Sequence, residues 1–451
     1  MNFTTRTNYI CFAVALGGLL FGFDTAVISG VAGFVKIRFA LNAVSEGWLV
    51  SCGLLGSIIG VIATGALSDR LGRRKAILLA GAMFLLSAVG CGLAPSFHWL
   101  VAARMAGGIG VGMASVIAPM YITEFAPADR RGRMVAYYQL AITLGILLAY
   151  LSNAAILGLA TPDAGPLLAE PWRGMLIVMS IPSILFLLLL IRIPESPRWL
   201  VATGREQEAR RVLQTVRPAT TADKELEDIT QAKKRSAARS MSLLHPSLRI
   251  PLLIGIVLAI LQQFSGINAV IYYGPEIFRS AGLNNGNALL FQVIIGTVNL
   301  LSTFIAIAYA DKYGRKFLLK MGLIGMIIAL VGCGTLFYTG HTQGWTLLIL
   351  MLIYITCFAC SIGPVTWIMI NEIFPTHVRV KAVTVCTLSL WAAVWLVGQF
   401  FPWLLEKAGP AFTFWAFALF SGINLLFSLT VVKETSGKTL EEMDTAFAAP
   451  H

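Results

Sequence analysis

Charge is what this sequence most lacks. Only 12% of its 451 residues are Asp, Glu, Lys or Arg, about half the share of an ordinary soluble domain, while 57% are hydrophobic and the mean hydropathy is +0.78. So few charges cannot cover a water-facing surface, and most of the exterior is expected to face lipid. Histidine is scarcer still: His98, His245, His341, His377 and His451 fall in loops, helix ends or the tail. No nucleophile and base stand together near them, so enzyme chemistry is not indicated. The seven cysteines (Cys11, Cys52, Cys91, Cys333, Cys357, Cys360, Cys386) all lie in apolar segments. Cys357-x-x-Cys360 has no histidine or further cysteine near it on its helix, so it reads as small packing residues rather than a metal or redox site. No cofactor and no metal is expected.

What the sequence has instead is long apolar runs. A hydrocarbon core about 30 Å thick is crossed by about 20 apolar residues in a helix, and the runs are too long and too unalternating for a closed barrel of strands. They predict an all-α integral membrane protein with twelve spans. The first six are at 9–34, 46–67, 76–94, 98–122, 133–158 and 173–193; the second six are at 250–281, 287–310, 317–338, 345–373, 380–405 and 411–432. The spans starting at 250 and 345 are expected to break at Gly and Pro. The first run is too long for a signal peptide, contains Asp24 and lacks a persuasive cleavage site, so it counts as a span.

The net charge of +12 could suggest nucleic acid, but its distribution points to membrane topology. If the N-terminus is cytoplasmic, only Lys36, Arg38, Arg173, Arg279 and Lys407 fall in outer loops; apart from Arg104, inside a span, the remaining Lys and Arg gather on the inner side. The expectation is a multi-pass protein of the cell membrane with both termini in the cytoplasm, and no nucleic-acid partner.

The chain also repeats itself at an offset of about 240 residues. Asp69-Arg-Leu-Gly72-Arg-Arg-Lys75 recurs as Asp311-Lys-Tyr-Gly314-Arg-Lys316. Glu124-Phe-Ala-Pro127 recurs as Glu372-Ile-Phe-Pro375, and Arg131-Gly-Arg133 becomes Arg379-Val-Lys381. Pro194-Glu195-Ser-Pro-Arg198 has a looser echo in Lys433-Glu434-Thr435. Two parallel six-helix bundles follow, 1–193 and 250–432, with the substrate expected between them near the midplane. Residues 194–249 form a polar cytoplasmic helical linker expected to clasp both bundles, and 433–451 a cytoplasmic tail.

Each recurring motif sets acid against base at helix ends, where the helix dipole favours such pairs. Asp69, Arg73, Arg74, Glu124, Arg133 and Glu195, with Asp311, Arg315, Glu372, Arg379 and Glu434 in the second half, are expected to form a conformational latch. In particular, Arg73, Arg74 and Arg133 can clamp Glu124 and Glu195.

Together the motifs resemble the sugar porter family of the major facilitator superfamily, which includes glucose facilitators and bacterial proton-coupled hexose and xylose symporters. The residues that carry the resemblance are Phe21-Gly-Phe-Asp24, the Gly72-Arg73-Arg74 loop, Pro194-Glu-Ser-Pro-Arg198, Gln262-Gln263-Phe-Ser-Gly-Ile-Asn268 and Gly363-Pro-Val-Thr-Trp367. The resemblance implies alternating access around a central sugar site in two six-helix bundles.

The residue chemistry is consistent with a sugar. Neutral amides both donate to and accept from hydroxyls without burying net charge, and Gln139, Gln262, Gln263, Asn268 and Asn299 lie at membrane depth. Gln262 and Gln263 cannot share one direction on an ideal helix, but a break at Gly266 would let both approach the ligand. By resemblance, Phe21, Trp367 and Trp391 would pack on the apolar face of a pyranose, with Ile142 and Gly363 lining the wall. Where many relatives carry an amide before the last of these tryptophans, this chain has Leu390, which bears on which hydroxyls are read.

Asp24 and Arg104 are ionisable residues inside spans, and such residues mark functional sites by default. The resemblance implies proton coupling at Asp24, and protonation there is expected to weaken its pairing with Arg104 and shift the balance between outward-open and inward-open states. Around Met179 and Ser180 the second acid of some symporters is missing. The expected function is import of a hexose or pentose by proton symport, carried out by a monomer in the bilayer; a passive sugar facilitator, a proton-coupled inositol carrier and a non-transporting sugar sensor are the alternatives.

Overall fold

The computed structural model describes residues 3–127, 130–161, 165–237, 245–309, 314–342, 345–374 and 378–432. Asp311 and Glu434 lie outside these residues, and so does the side chain of Arg379.

Five long helices open the chain: α1 (Phe3–Arg38), α2 (Ala43–Leu71), α3 (Arg73–Gly92), α4 (Phe97–Phe125) and α5 (Arg131–Leu159). One turn of helix, α6 (Pro166–Ala169), precedes the sixth span, which is built from α7 (Pro171–Ile177) and α8 (Ser180–Leu190). Three short helices follow, α9 (Pro197–Ala202), α10 (Glu206–Val216) and α11 (Ala219–Ala237). The seventh span is α12 (Pro246–Phe264) with α13 (Ile267–Ser280), the eighth α14 (Asn285–Tyr309) and the ninth α15 (Arg315–Thr339). The tenth is α16 (Thr346–Cys360) with α17 (Ile362–Glu372), and α18 (Arg379–Thr430) completes the described chain.

Among the described residues eleven helical runs are long and apolar enough to cross a membrane, the last of them Lys381–Thr430. Gly409, at φ 80 and ψ 165, breaks α18 just before Pro410. Glycine tolerates the positive φ and proline has no N–H to continue the ladder, so α18 holds two spans and the total is twelve. The helices run past the ends of the apolar runs because hydropathy measures the hydrocarbon layer, whereas a helix continues until it is capped. The Asp69–Lys75 motif shows this best: it is helical on both sides, with only Gly72 (φ 91) between α2 and α3.

By their contacts the residues group into two units. The first comprises Met1–Val31 and Cys52–Ser240, the second Ala32–Ser51 and Met241–His451. The corner between α1 and α2 is thus grouped with the second unit, and the polar helices α9–α11 with the first.

Within the first unit, backbones approach closely enough to exclude side chains. A Cβ on Gly108 of α4 would lie 1.9 Å from the Gly53 carbonyl of α2. Small residues at such crossings are how helices pack in lipid, where apolar faces gain nothing by leaving the tails. The polar helices form a small core of their own around Trp199, Leu200, Val201 and Ala209. They are tied to the spans by Trp199 Nε1, which donates to the Asp69 carbonyl at 2.9 Å, and by Arg217 Nη2, which donates to the Phe125 carbonyl at 2.8 Å. On their surface Arg210 donates to Asp223 at 2.7 and 2.8 Å. Those hydrogen bonds hold the Asp223 carboxyl below its ordinary range.

Candidate functional site

In the first unit the two intramembrane charges meet. Arg104 Nη1 donates to Asp24 Oδ1 at 3.1 Å and to the Asp24 carbonyl at 3.4 Å. Both residues are buried, at 4% and 3% exposure. Space for the pair comes from glycine: a Cβ on Gly107 would stand 3.1 Å from Asp24 Oδ1, and one on Gly53 would stand 3.2 Å from Arg104 Nη2. One ion pair seated beside Ser87 and these glycines can exist charged, or give up its attraction when the carboxylate takes a proton. In the same unit α1 and α5 pack closely, and a Cβ on Gly22 would fall 1.9 Å from the Ile142 carbonyl. Phe21 and Ile142 are half-buried and Gln139 is exposed. Among the described residues no hydrogen-bond partner meets the Gln139 amide.

In the second unit the amides are joined in a chain. Asn268 Nδ2 donates to Gln263 Oε1 at 2.5 Å, and Gln263 Nε2 donates to Gln262 Oε1 at 3.3 Å. Gln262 Nε2 then donates to the carbonyls of Ile362 and Gly363 at 3.0 and 3.1 Å. Gln262 and Gln263 are neighbours on α12, and the break at left-handed Gly266 (φ 92, ψ 9) re-aims α13 so that Asn268 meets Gln263. The break frees carbonyls that lipid cannot satisfy, and Tyr354 OH donates to that of Ser265 at 3.0 Å.

The tenth span breaks at Ser361 (φ −130, ψ −91), not at Gly363-Pro364. Pro364 sits in the first turn of α17, where a missing N–H costs nothing. Gln262 therefore joins one helix break to the other. Gln262 is 2% exposed and Gln263 6%, and Asn268 at the end of the chain is half-buried.

The other expected contacts in this unit sit on α14, α17 and α18. Trp367 is half-buried on α17, one turn beyond Gly363, and Trp391 is buried on α18 beside buried Leu390. The Asn299 amide on α14 has no hydrogen-bond partner among the described residues. The Cys360 thiol donates to the Ser302 carbonyl at 3.5 Å, seating α14 against α16.

The motif residues form a cluster in which Arg73 meets Glu124 as expected, while Glu195, Arg74 and Arg133 do not make the pairs expected of them. Glu195 accepts from the backbone N–H groups of Arg73 (2.9 Å), Arg74 (3.1 Å) and Ser196 (2.8 Å). It caps the positive end of α3 rather than taking a guanidinium. The Arg74 guanidinium goes instead to the Ile191 carbonyl at 2.6 Å. Arg73 lies between Asp69 (3.1 Å) and Glu124 (3.7 Å). Arg133 is exposed and meets no acid among the described residues. In the second unit Arg315 pairs with Glu372 at 3.2 Å.

Residues 10–447 match the family model described as "Sugar (and other) transporter". The chain belongs to this family. Among its fellow sugar transporters, the arabinose-proton symporter of Bacillus subtilis is 42% identical over 433 residues, covering 96% of this chain and 93% of that protein. The D-xylose-proton symporter of Escherichia coli K12 is 38% identical over 482 residues, covering 98% and 97%. A partially occluded inward-open structure of the E. coli xylose transporter XylE matches with a TM-score of 0.86 at 35% identity, covering 96% of this chain and all of that one. The sugar transporter family fold is that of the major facilitator superfamily, with twelve transmembrane helices.

Sequence reading did not single out Tyr354, Ser361 or the glycines around Asp24. Each is one small or polar residue in an apolar span, and nothing periodic marks it.

Proposed function

We propose that this chain is a secondary active transporter that imports a monosaccharide, a hexose or a pentose, in symport with protons by alternating access. Relatives covering nearly the whole chain are named as proton symporters of arabinose and xylose. The observation that carries the reading is the division of chemistry between the units. A buried, titratable pair, Asp24 and Arg104, stands in the first, and a neutral amide chain, Gln262, Gln263 and Asn268, in the second. A proton needs the former, and a polyhydroxylated ligand needs the latter.

In this reading Asn268, Gln263 and Asn299 hydrogen-bond the sugar, with Gln139 as a further amide, and Gln262 sets the geometry of the chain. Phe21, Trp367 and Trp391 stack on its C–H face, and Ile142 and Gly363 complete the surface. The Asp69–Arg73–Glu124 and Arg315–Glu372 pairs, with Glu195 at the cap of α3, form the latch of one conformational state. The asymmetry of Lys and Arg supports cytoplasmic termini, and the transporter works as a monomer in the bilayer of the cell membrane.

Uptake of a panel of labelled hexoses, pentoses and inositol into proteoliposomes, with and without an inside-alkaline pH gradient, tests this. Accumulation of a hexose or pentose above equilibrium only with the gradient is expected. Uptake that stops at equilibrium under both conditions would make the protein a passive facilitator.

A further inference from the structure

At the end of α2 opposite Asp69, one side chain of α18 reads both faces of the helix start. Gln399 Oε1 accepts from Ser51 Oγ at 2.6 Å, and Gln399 Nε2 donates to the Val44 carbonyl at 3.1 Å. Between these two points the backbones touch: a Cβ on Gly47 would lie 2.1 Å from the Gln399 carbonyl. On the other arm of the corner, the Arg279 guanidinium of α13 lies flat on Gly33 of α1, where a Cβ would be 2.3 Å from Nη1.

The corner is itself stiffened by a salt bridge. Lys36 Nζ is 2.7 Å from Glu46, whose exposure is 2%. Tyr273 OH donates to the Gly398 carbonyl at 2.8 Å and fixes the backbone that carries Gln399. These contacts explain why residues 32–51 group with the second unit while the rest of α1 and α2 groups with the first.

We propose that Gln399 is a hydrogen-bond latch that holds the α1–α2 corner on the second unit and releases it once in every transport cycle. The proposal rests on the transport function argued above. Its bonds suit a contact that opens and closes, since two neutral hydrogen bonds, each of modest net strength, can break and re-form without stranding a charge, and the Lys36–Glu46 pair lies within the corner, so that opening need not break it. A glycine crossing supplies close fit without directionality, and Gln399 supplies the register.

Two measurements decide it. In a Ser51→Cys/Gln399→Cys variant, a short thiol-to-thiol crosslinker is expected to abolish sugar counterflow in proteoliposomes, and a cleavable linker to restore it on reduction. Spin labels at Ile37→Cys and Tyr338→Cys, both exposed, are expected to show the population at longer distance grow by about tenfold when Gln399→Leu is added, within the range by which coupling shifts conformational equilibria. Counterflow at the uncrosslinked rate after complete crosslinking overturns the proposal, and so does an unchanged distance distribution. If the unmodified protein carries no sugar, the transport reading fails by itself, and the distance distribution, which needs no substrate, still decides whether Gln399 is a latch.

Discussion

The two units bury polar groups in opposite ways. The first unit buries one full charge against another, Asp24 against Arg104, in a pocket opened by glycines. Among the described residues the second has no ion pair at its helix breaks and joins neutral amides head to tail onto backbone carbonyls. A buried pair loses most of its attraction when one proton is added, so it responds to pH. A chain of amides carries no charge to titrate and presents donors and acceptors whatever the pH. The difference teaches that a titratable pair and a pH-indifferent amide chain can be buried in one protein by separate means, which under the proposed function divides energy coupling from most of the ligand reading.

The largest effect that would break this comparison comes from stranding the acid. Arg104→Met leaves Asp24 buried without its partner and is expected to destabilise the protein by about 3–5 kcal/mol, read as a lower thermal midpoint in detergent. Adding Asp24→Asn to Arg104→Met is expected to recover a large part of that loss.

On the amide side, Gln262→Leu removes the group that ties the seventh span to the tenth. Sugar affinity is expected to fall by roughly 1–3 kcal/mol, about 5- to 150-fold, with the pH dependence of the remaining transport unchanged. Calorimetric binding and uptake at several pH values check both parts.

A third variant concerns the cap of α3. Glu195→Gln keeps the shape but weakens charge-assisted bonds to three backbone N–H groups, and about 1–2 kcal/mol of stability is expected to be lost. Because the cap belongs to neither the ion pair nor the amide chain, substrate selectivity should not move. The smallest effect is expected from Arg133→Ala. That side chain is exposed and meets no acid among the described residues, so transport should stay within about twofold of wild type. A large loss would return Arg133 to the latch.

The architecture was legible because a bilayer imposes a length on every span. Twelve runs of about 20 apolar residues and two sets of recurring loop motifs are enough to place the helices along the chain. Gly266 was legible as a break because glycine, an amide pair and an asparagine stood close together in one span. Of the motif partners, Arg73 with Glu124 was legible, but those of Glu195 and Arg74 were not. Glu195 binds backbone N–H groups, which depend on where α3 begins, and the sequence 69–75 looks like a loop although it is helix on both sides of Gly72. The break at Ser361 was hidden by Pro364, whose position in the first turn of α17 leaves no trace in composition. Gln399 was overlooked for the same reason as Tyr354: a single polar residue in an apolar run has no period.

The central claim is that Asp24 couples the proton while the amides hold the sugar, and one variant separates the two. Asp24→Asn, reconstituted beside the wild type, is assayed for sugar counterflow without a pH gradient and for accumulation with one. The account predicts that counterflow persists and accumulation driven by the gradient disappears. Accumulation equal to that of the wild type would contradict it.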